Sequence, residues 1–252
     1  MRSIVSSLKL VPIDQMDLHE DFEPSRLEKT VEAIKRDDCI RHPILVTKLA
    51  NGRYFVLDGV HRFMSLKKLQ LETAPVQEVS MEDFTMTTWA HLVKKGEWFE
   101  EMIQHDNLPW KEAKKEGTPF IEVVANDKER YYLYEEDIAP YVLESWHKIV
   151  TRYSENQEVT RVPSDIETLL KNDEVLIKYS RLRYEAVEQI VMEGKKLPAG
   201  VTRFQVSGRI LNLCVPLALL QKPHRVSEKW LELLHQSEKS LRCYEEKVYV
   251  FE

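Results

Sequence analysis

Five consecutive residues, Asp58-Gly59-Val60-His61-Arg62, bring together groups that handle phosphate. A glycine lets backbone approach a ligand closely, and where a helix begins the free N–H groups of its first turn attract anions. His61 and Arg62 add side-chain donors, and a guanidinium suits bidentate phosphate contacts. Asp58, directly ahead of them, is a carboxylate able to hold Mg²⁺ or to receive a proton. Taken alone, the same five residues also describe an ordinary strand-to-helix turn with a solvated arginine. The elements around them decide which description applies.

Residues 8–13 alternate as a strand does. Pro24 suits a first helical turn, and Leu27, Val31 and Ile34 follow at the spacing of one helical face. Residues 43–47 and 54–57 are compact β runs separated by Asn51-Gly52, read here as a type I′ hairpin turn with positive φ at both central residues. Asp58-Gly59 ends the second run, and a helix follows at once through Phe63, Leu66 and Leu69. Residues 74–79 return as a strand. Residues 1–80 are thus a small mixed α/β module with the phosphate-type turn at its centre.

Residues 81–195 are tryptophan-rich and read as mainly helical. Val142, Trp146, Ile149, Val150 and Tyr153 form a helical stripe, residues 184–193 form another helix with Gly194 as its C-cap, and residues 120–124 and 130–134 form a hairpin. Residues 196–252 read as a small α+β part: a hairpin pairing 201–206 with 209–215 around Ser207-Gly208, a helix from Ser227, and a last strand over 247–251.

Composition narrows the function classes. The 252 residues are 43% hydrophobic and 31% charged, with a net charge of −6. The first 80 residues are neutral, so the acidic surplus lies downstream, against a protein dedicated to wrapping nucleic acid. No apolar run has membrane-spanning length, and the first residues lack the apolar stretch of a signal peptide, so a cytoplasmic protein is expected. Cys39, Cys214 and Cys243 make no disulfide framework. Cys39-x-x-His42 and His19 lack the second ligand pair of a zinc site. His105, His147, His224 and His235 are isolated and read as surface or packing residues.

Across residues 10–79 the chain resembles the ParB/sulfiredoxin superfamily. The resemblance rests on an opening VPID strand, the LEKTVEAI helix, HPILV, the NG hairpin, YFVLDGVHR and a closing PVQEV strand. Sulfiredoxins carry a catalytic cysteine where this chain has Val60, which cannot form the sulfur intermediate. ParB partition proteins continue into a helix-turn-helix domain, whereas the downstream region here is acidic with no basic recognition helix. The third branch, the free L-serine kinase group, uses DGxHR together with a glutamate after the first strand, and this chain has His19-Glu20 there. The likeness continues through TTWAH at residues 87–91, LPAGVTRFQVSGRILNLCVPLALL and RCYEEKVYV, segments similar to the branch linked to staphyloferrin B siderophore biosynthesis.

That resemblance implies an α/β (α+β) protein and a reaction: phosphoryl transfer from ATP, or from ADP, to the hydroxyl of free L-serine. The O-phospho-L-serine made would feed siderophore assembly through a downstream enzyme. It implies Glu20 as general base, Asp58 as a hydroxyl-orienting group or Mg²⁺ ligand, and Gly59, Val60, His61 and Arg62 as the phosphate cradle. Trp89, His91, Thr202, Arg203 and Arg209 are then the expected walls of the serine pocket. Without the family pattern, Glu20 would read as a solvated acid before a helix, Trp89 as core, and Arg209 as an ion-pair partner. The alternative function is a ligand-responsive, ParB-like DNA-binding regulator, with nucleic acid as a partner.

Overall fold

The computed structural model describes residues 4–125, 129–164, 170–221 and 227–244. Its first part is the expected module. Strands β1 (Leu8–Pro12), β2 (Met16–Leu18), β4 (Ile44–Lys48), β5 (Tyr54–Asp58) and β6 (Thr73–Glu78) form one sheet in the order β1-β6-β4-β5-β2, with a short β3 (Cys39–Ile40) outside it. The β4–β6 and β2–β5 pairs are parallel; β1–β6 and β4–β5 are antiparallel. Helices α1 (Pro24–Asp37) and α2 (Val60–Lys68) pack on each other. Pro24 opens α1, whose buried face is Leu27, Val31 and Ile34, and Asp38 ends it in the left-handed region at φ 50.

The runs Ile44–Val46 and Phe55–Leu57 are buried throughout because this sheet has a core on both faces. Ile44, Val46 and Val56 face one core with Ile34, Phe63 and Leu66. Leu45, Phe55 and Leu57 face the other. The β4–β5 turn differs from its expected type. Gly52 has φ +83 but Asn51 is not among the positive-φ residues, and Asn51 Oδ1 accepts the Arg53 N–H at 3.0 Å. A three-residue turn closed by an Asn side chain replaces the two-residue type I′ turn, because the Leu49–Arg53 backbone pair sets the loop one residue longer.

The middle region corrects the mainly helical expectation. It is built on a second sheet in the order β10-β7-β11-β8-β9 from β7 (Phe84–Lys94), β8 (Ile121–Val124), β9 (Arg130–Leu133), β10 (Thr160–Pro163) and β11 (Glu174–Tyr179). The helices here are α3 (Glu97–Glu100), α4 (Glu135–Ile138), α5 (Val142–Ser154) and α6 (Tyr184–Met192). The α5 stripe of Trp146, Ile149, Val150 and Tyr153 is buried as expected. The central strand β7 was invisible as a strand because its partners lie far along the chain.

The expected 201–215 hairpin does not form. Strand β12 (Thr202–Val206) pairs with the first half of β7 instead, joining the second sheet, and the chain after Gly208 crosses to the module, where β13 (Val215–Pro216) pairs with β3. Helix α7 (Ser227–Ser240) then lays Trp230 on the module core. The C-terminal part is therefore shared between the two sheets rather than a unit of its own. The strand expected over 247–251 lies outside the described residues. No helix among the described residues is long and apolar enough to cross a membrane.

Candidate functional site

A cleft of about 840 Å³ opens where the two sheets meet. The module contributes Glu20, Leu57, Asp58, Gly59, Val60, His61 and Arg62; the second sheet contributes Trp89, Arg161, Thr202 and Arg203; the crossing segment adds Arg209.

The expected phosphate turn is at the end of β5. Gly59, at φ +101, caps α2, and a Cβ there would lie 3.0 Å from Arg62 Nη2. The first-turn N–H groups of α2, from Val60, His61 and Arg62, precede its first backbone bond, from Phe63 N–H to the Gly59 carbonyl, and these residues line the cleft. The Val60 side chain itself is buried, so its part is played by backbone. His61 Nε2 accepts the Glu23 N–H at 3.1 Å, which places the ring proton on Nδ1. Burial, reinforced by Arg26, pulls its pKa down to about 4, so His61 is a neutral donor at pH 7. Arg62 braces the turn: Nη1 donates to the carbonyls of His42 (2.8 Å) and Pro43 (2.6 Å), and Nη2 to Asp58 (2.9 Å). Arg209 reaches the same Asp58 oxygen. Burial works to raise the Asp58 pKa, but the two guanidinium groups outweigh it and keep the carboxylate ionised.

Glu20 faces this turn from the segment after β2. A backbone ladder to Leu197 holds that segment, with Leu197 N–H donating to His19 (2.8 Å) and Asp21 N–H to Leu197 (2.9 Å). Glu20 Oε2 accepts the Gly200 N–H at 3.0 Å and lies 3.1 Å from Thr202 Oγ1. Burial pushes its pKa up to about 7, against the opposing pull of Arg161. Its neighbour His19 is fully buried, stacked on Phe55, with Nδ1 2.7 Å from the Val56 carbonyl and Nε2 2.6 Å from Thr202 Oγ1.

Of the expected pocket residues, Trp89, Thr202, Arg203 and Arg209 line the cleft, with the Arg203 guanidinium 4.7 Å from the Trp89 ring centre. His91 does not. It is buried, with Nε2 donating to the Gly200 carbonyl (2.8 Å) and Nδ1 2.6 Å from the Tyr153 hydroxyl, and burial lowers its pKa to about 4. Trp89 and His91, two residues apart on β7, share a face of the strand. His91 is kept from the cleft because the Gly200 carbonyl and the Tyr153 hydroxyl cover both of its ring nitrogens. It supports the turn that holds Glu20.

Sequence reading missed Arg161 and Gly200. Arg161, on β10, pairs with Glu23 and lies over Gly200, whose φ is +73 and where a Cβ would collide with that guanidinium. The glycine in LPAGV was the one available signal; nothing near Arg161 marked it. The Cys39 pKa is raised to about 11, chiefly by burial and then by the neighbouring Cys214, while His42 Nδ1 accepts the Asn212 N–H. Among the described residues no three His, Cys, Asp or Glu side chains gather as a metal cluster. His105 and His235 are exposed, and His147 donates to the Lys196 carbonyl. His224 lies outside the described residues.

The start of α2 and a carboxyl group raised toward neutrality line one cleft between a ParB-like module and a second sheet, an arrangement suited to a phosphorylated small molecule. The ParB N-terminal domain family matches residues 3–92. The chain is 45% identical, over the full length of both proteins, to the ATP-dependent L-serine kinase SbnI of Staphylococcus aureus. The structure of C-terminally truncated SbnI superposes with a TM-score of 0.87 at 44% identity, covering 94% of this chain and all of that one. A free serine kinase in complex with AMP shares the fold at a TM-score of 0.68 and 20% identity, covering 85% of this chain and 93% of that one. The chain belongs to the family of nucleotide-dependent free L-serine kinases.

Proposed function

We propose that this protein transfers the terminal phosphoryl group of ATP to the hydroxyl of free L-serine, giving O-phospho-L-serine and ADP. The observation that carries this reading is Glu20, a carboxyl group held near pH 7 in the same cleft as the N-terminus of α2. ATP is favoured over ADP because the full-length relative is named for ATP.

Serine's hydroxyl is a weak nucleophile, and a base whose pKa is close to the working pH is best matched to take its proton. Glu20, its carboxyl raised by burial to about 7, accepts that proton in its ionised form as the hydroxyl oxygen attacks phosphorus and the bond to the ADP oxygen breaks. The first-turn N–H groups of α2 and the His61 Nδ1–H donate to phosphate oxygens, and Arg161 and Arg209 add positive charge. Arg203, stacked on Trp89, receives the serine carboxylate. Mg²⁺ fits the residues present, since it is commonly held by one or two carboxylates plus substrate phosphates, and Asp58 is the carboxylate beside the phosphate turn. When bound, it would offset phosphate charge there. The product serves siderophore precursor synthesis through an enzyme that consumes phosphoserine, in the cytoplasm where ATP and free serine are found.

Phosphorus NMR of the folded protein with Mg²⁺ and serine, in parallel with ATP and with ADP, tests the reading. A phosphoserine signal with ATP is expected. Silence in both samples, together with DNA affinity that falls steeply with salt, would replace the kinase by the ParB-like regulator.

A further inference from the structure

The hydrogen bonds behind Glu20 can be given directions, because several of their partners have only one role to play. The Val56 carbonyl can only accept, so His19 Nδ1 carries the proton in their 2.7 Å bond. Burial keeps the His19 ring neutral down to about pH 4, so Nε2 is an acceptor at neutral pH. The Thr202 hydroxyl, 2.6 Å from that Nε2, is therefore the donor whenever their contact is a hydrogen bond. One hydroxyl has one proton, yet Thr202 Oγ1 is also 3.1 Å from Glu20 Oε2. The two contacts can both be hydrogen bonds only when Glu20 is protonated and donates to Thr202. When Glu20 is ionised, the Thr202 proton is claimed by two acceptors.

From this geometry we infer that Thr202 and His19 form a switch that positions and tunes Glu20: the threonine hydroxyl points at Glu20 when the carboxylate is ionised and at His19 once Glu20 has taken a proton. His19 thereby competes with the carboxylate for a single donor. Without that competitor, Glu20 would hold the Thr202 donor as well as the Gly200 N–H, and each donor favours the ionised form and weakens the base. With it, losing the threonine's hydrogen bond costs less, because the hydroxyl has another acceptor waiting. No proton reaches His19; the serine proton stops on Glu20. The remaining groups facing Glu20 are Arg161 on β10 and Asp58 at the end of β5, and those facing His19 are Asp58 and the rings of Phe55 on β5 and Phe204 on β12. Thr202 Oγ1 is within hydrogen-bond distance of two acceptors, His19 Nε2 and Glu20 Oε2. The inference rests on Glu20 being the base.

Two substitutions push Glu20 in opposite directions. In Thr202→Val the ionised carboxylate loses its donor, so its pKa rises. In His19→Phe the ring stack survives and Thr202 is left to Glu20 alone, so the pKa falls. Each shift is expected at roughly half to one unit, and Thr202→Ser should restore the wild-type value. The measurements are ¹³C NMR titration of the Glu20 carboxyl and the pH profile of kcat/KM for serine. A single direction of shift for both variants, or none, would overturn the switch. Opposed carboxyl shifts that leave the rate profile unmoved, with Glu20→Gln still active, would uphold the switch and remove the base assignment. Should His19→Phe not fold, the wild-type ¹⁵N signal of His19 Nε2 decides. It should move with the titration of Glu20 while Nδ1 stays protonated, and an Nε2 signal constant through pH 7 would refute the inference.

Discussion

Arg62 shows how a residue with the type of a phosphate ligand can serve another end. Its guanidinium is spent on two backbone carbonyls, those of His42 and Pro43, and on Asp58, so it ties the start of α2 to the strand before it and orients the carboxylate. A lysine keeps the charge but has a point ammonium in place of a fork, and cannot span all three acceptors. Arg62→Lys should therefore destabilise the fold by about 1–3 kcal/mol through buried carbonyls left unpaired, and slow turnover by misplacing Asp58. Thermal melts and steady-state kinetics check both halves; an unchanged melt would mean that the brace is dispensable. Asp58→Asn separates charge from shape at the same place. It removes the partner of Arg62 and Arg209 while keeping the volume, so nucleotide should bind without Mg²⁺ at least as tightly as to wild type, whereas kcat should drop by about 100-fold or more. Calorimetric titration with ATP beside a turnover assay distinguishes the two effects.

The turn between β5 and α2 depends on backbone that only glycine adopts at low cost. Gly59 combines φ +101 with a close guanidinium, whereas Gly52, at φ +83 in the β4–β5 loop, has nothing within 4 Å of where a Cβ would stand. Both alanine variants lose about 1–2 kcal/mol from the left-handed backbone alone. Only Gly59→Ala should also displace Arg62 and raise KM for the nucleotide, so melting temperature and KM measured on both variants separate strain from site damage. Much of the module containing this turn was legible in the sequence, because its helix faces, apolar strand runs and turn residues are all local signals. The second sheet was not. Strand β7 carries threonines and a buried histidine in place of a clean alternation, and its partners β10, β11 and β12 are each more than 60 residues away, so no window of sequence held the pairing. The same distance hid Arg161 and Gly200, which reach Glu20 only because those strands meet. In residues 201–215 a plausible local hairpin lost to β7, which offered β12 a five-residue ladder inside a larger sheet.

Over the whole molecule, the two cores share the module sheet, and buried neutral histidines tie the parts together at the cleft. His19 joins the module to β12, and His91 joins β7 to the Gly200 turn. His19, His61 and His91 are each lowered from 6.5 to about 4 in the folded state. The unfolded chain therefore binds these protons first, and the stability the rings lend is complete above about pH 6.5 and is lost as pH falls toward 4. Glu20 runs the other way. Raised from 4.5 to about 7, it is protonated in the folded protein before it is in the unfolded chain, so acidification from 7 to 4.5 adds stability there. Three losses against one gain leave a net decline, and the melting temperature should fall as pH is lowered from 6.5 to 4. Glu20→Gln removes the gain, so it should melt higher than wild type at pH 8, where the buried charge is a cost, and fall more steeply on acidification. His91→Gln, which keeps a donor for Gly200 but cannot take up a proton, should fall less steeply than wild type. Scanning calorimetry across this range reads all three slopes, and a melting temperature independent of pH between 6.5 and 4 would show that the histidines are not buried in the neutral form that holds the two sheets around the cleft.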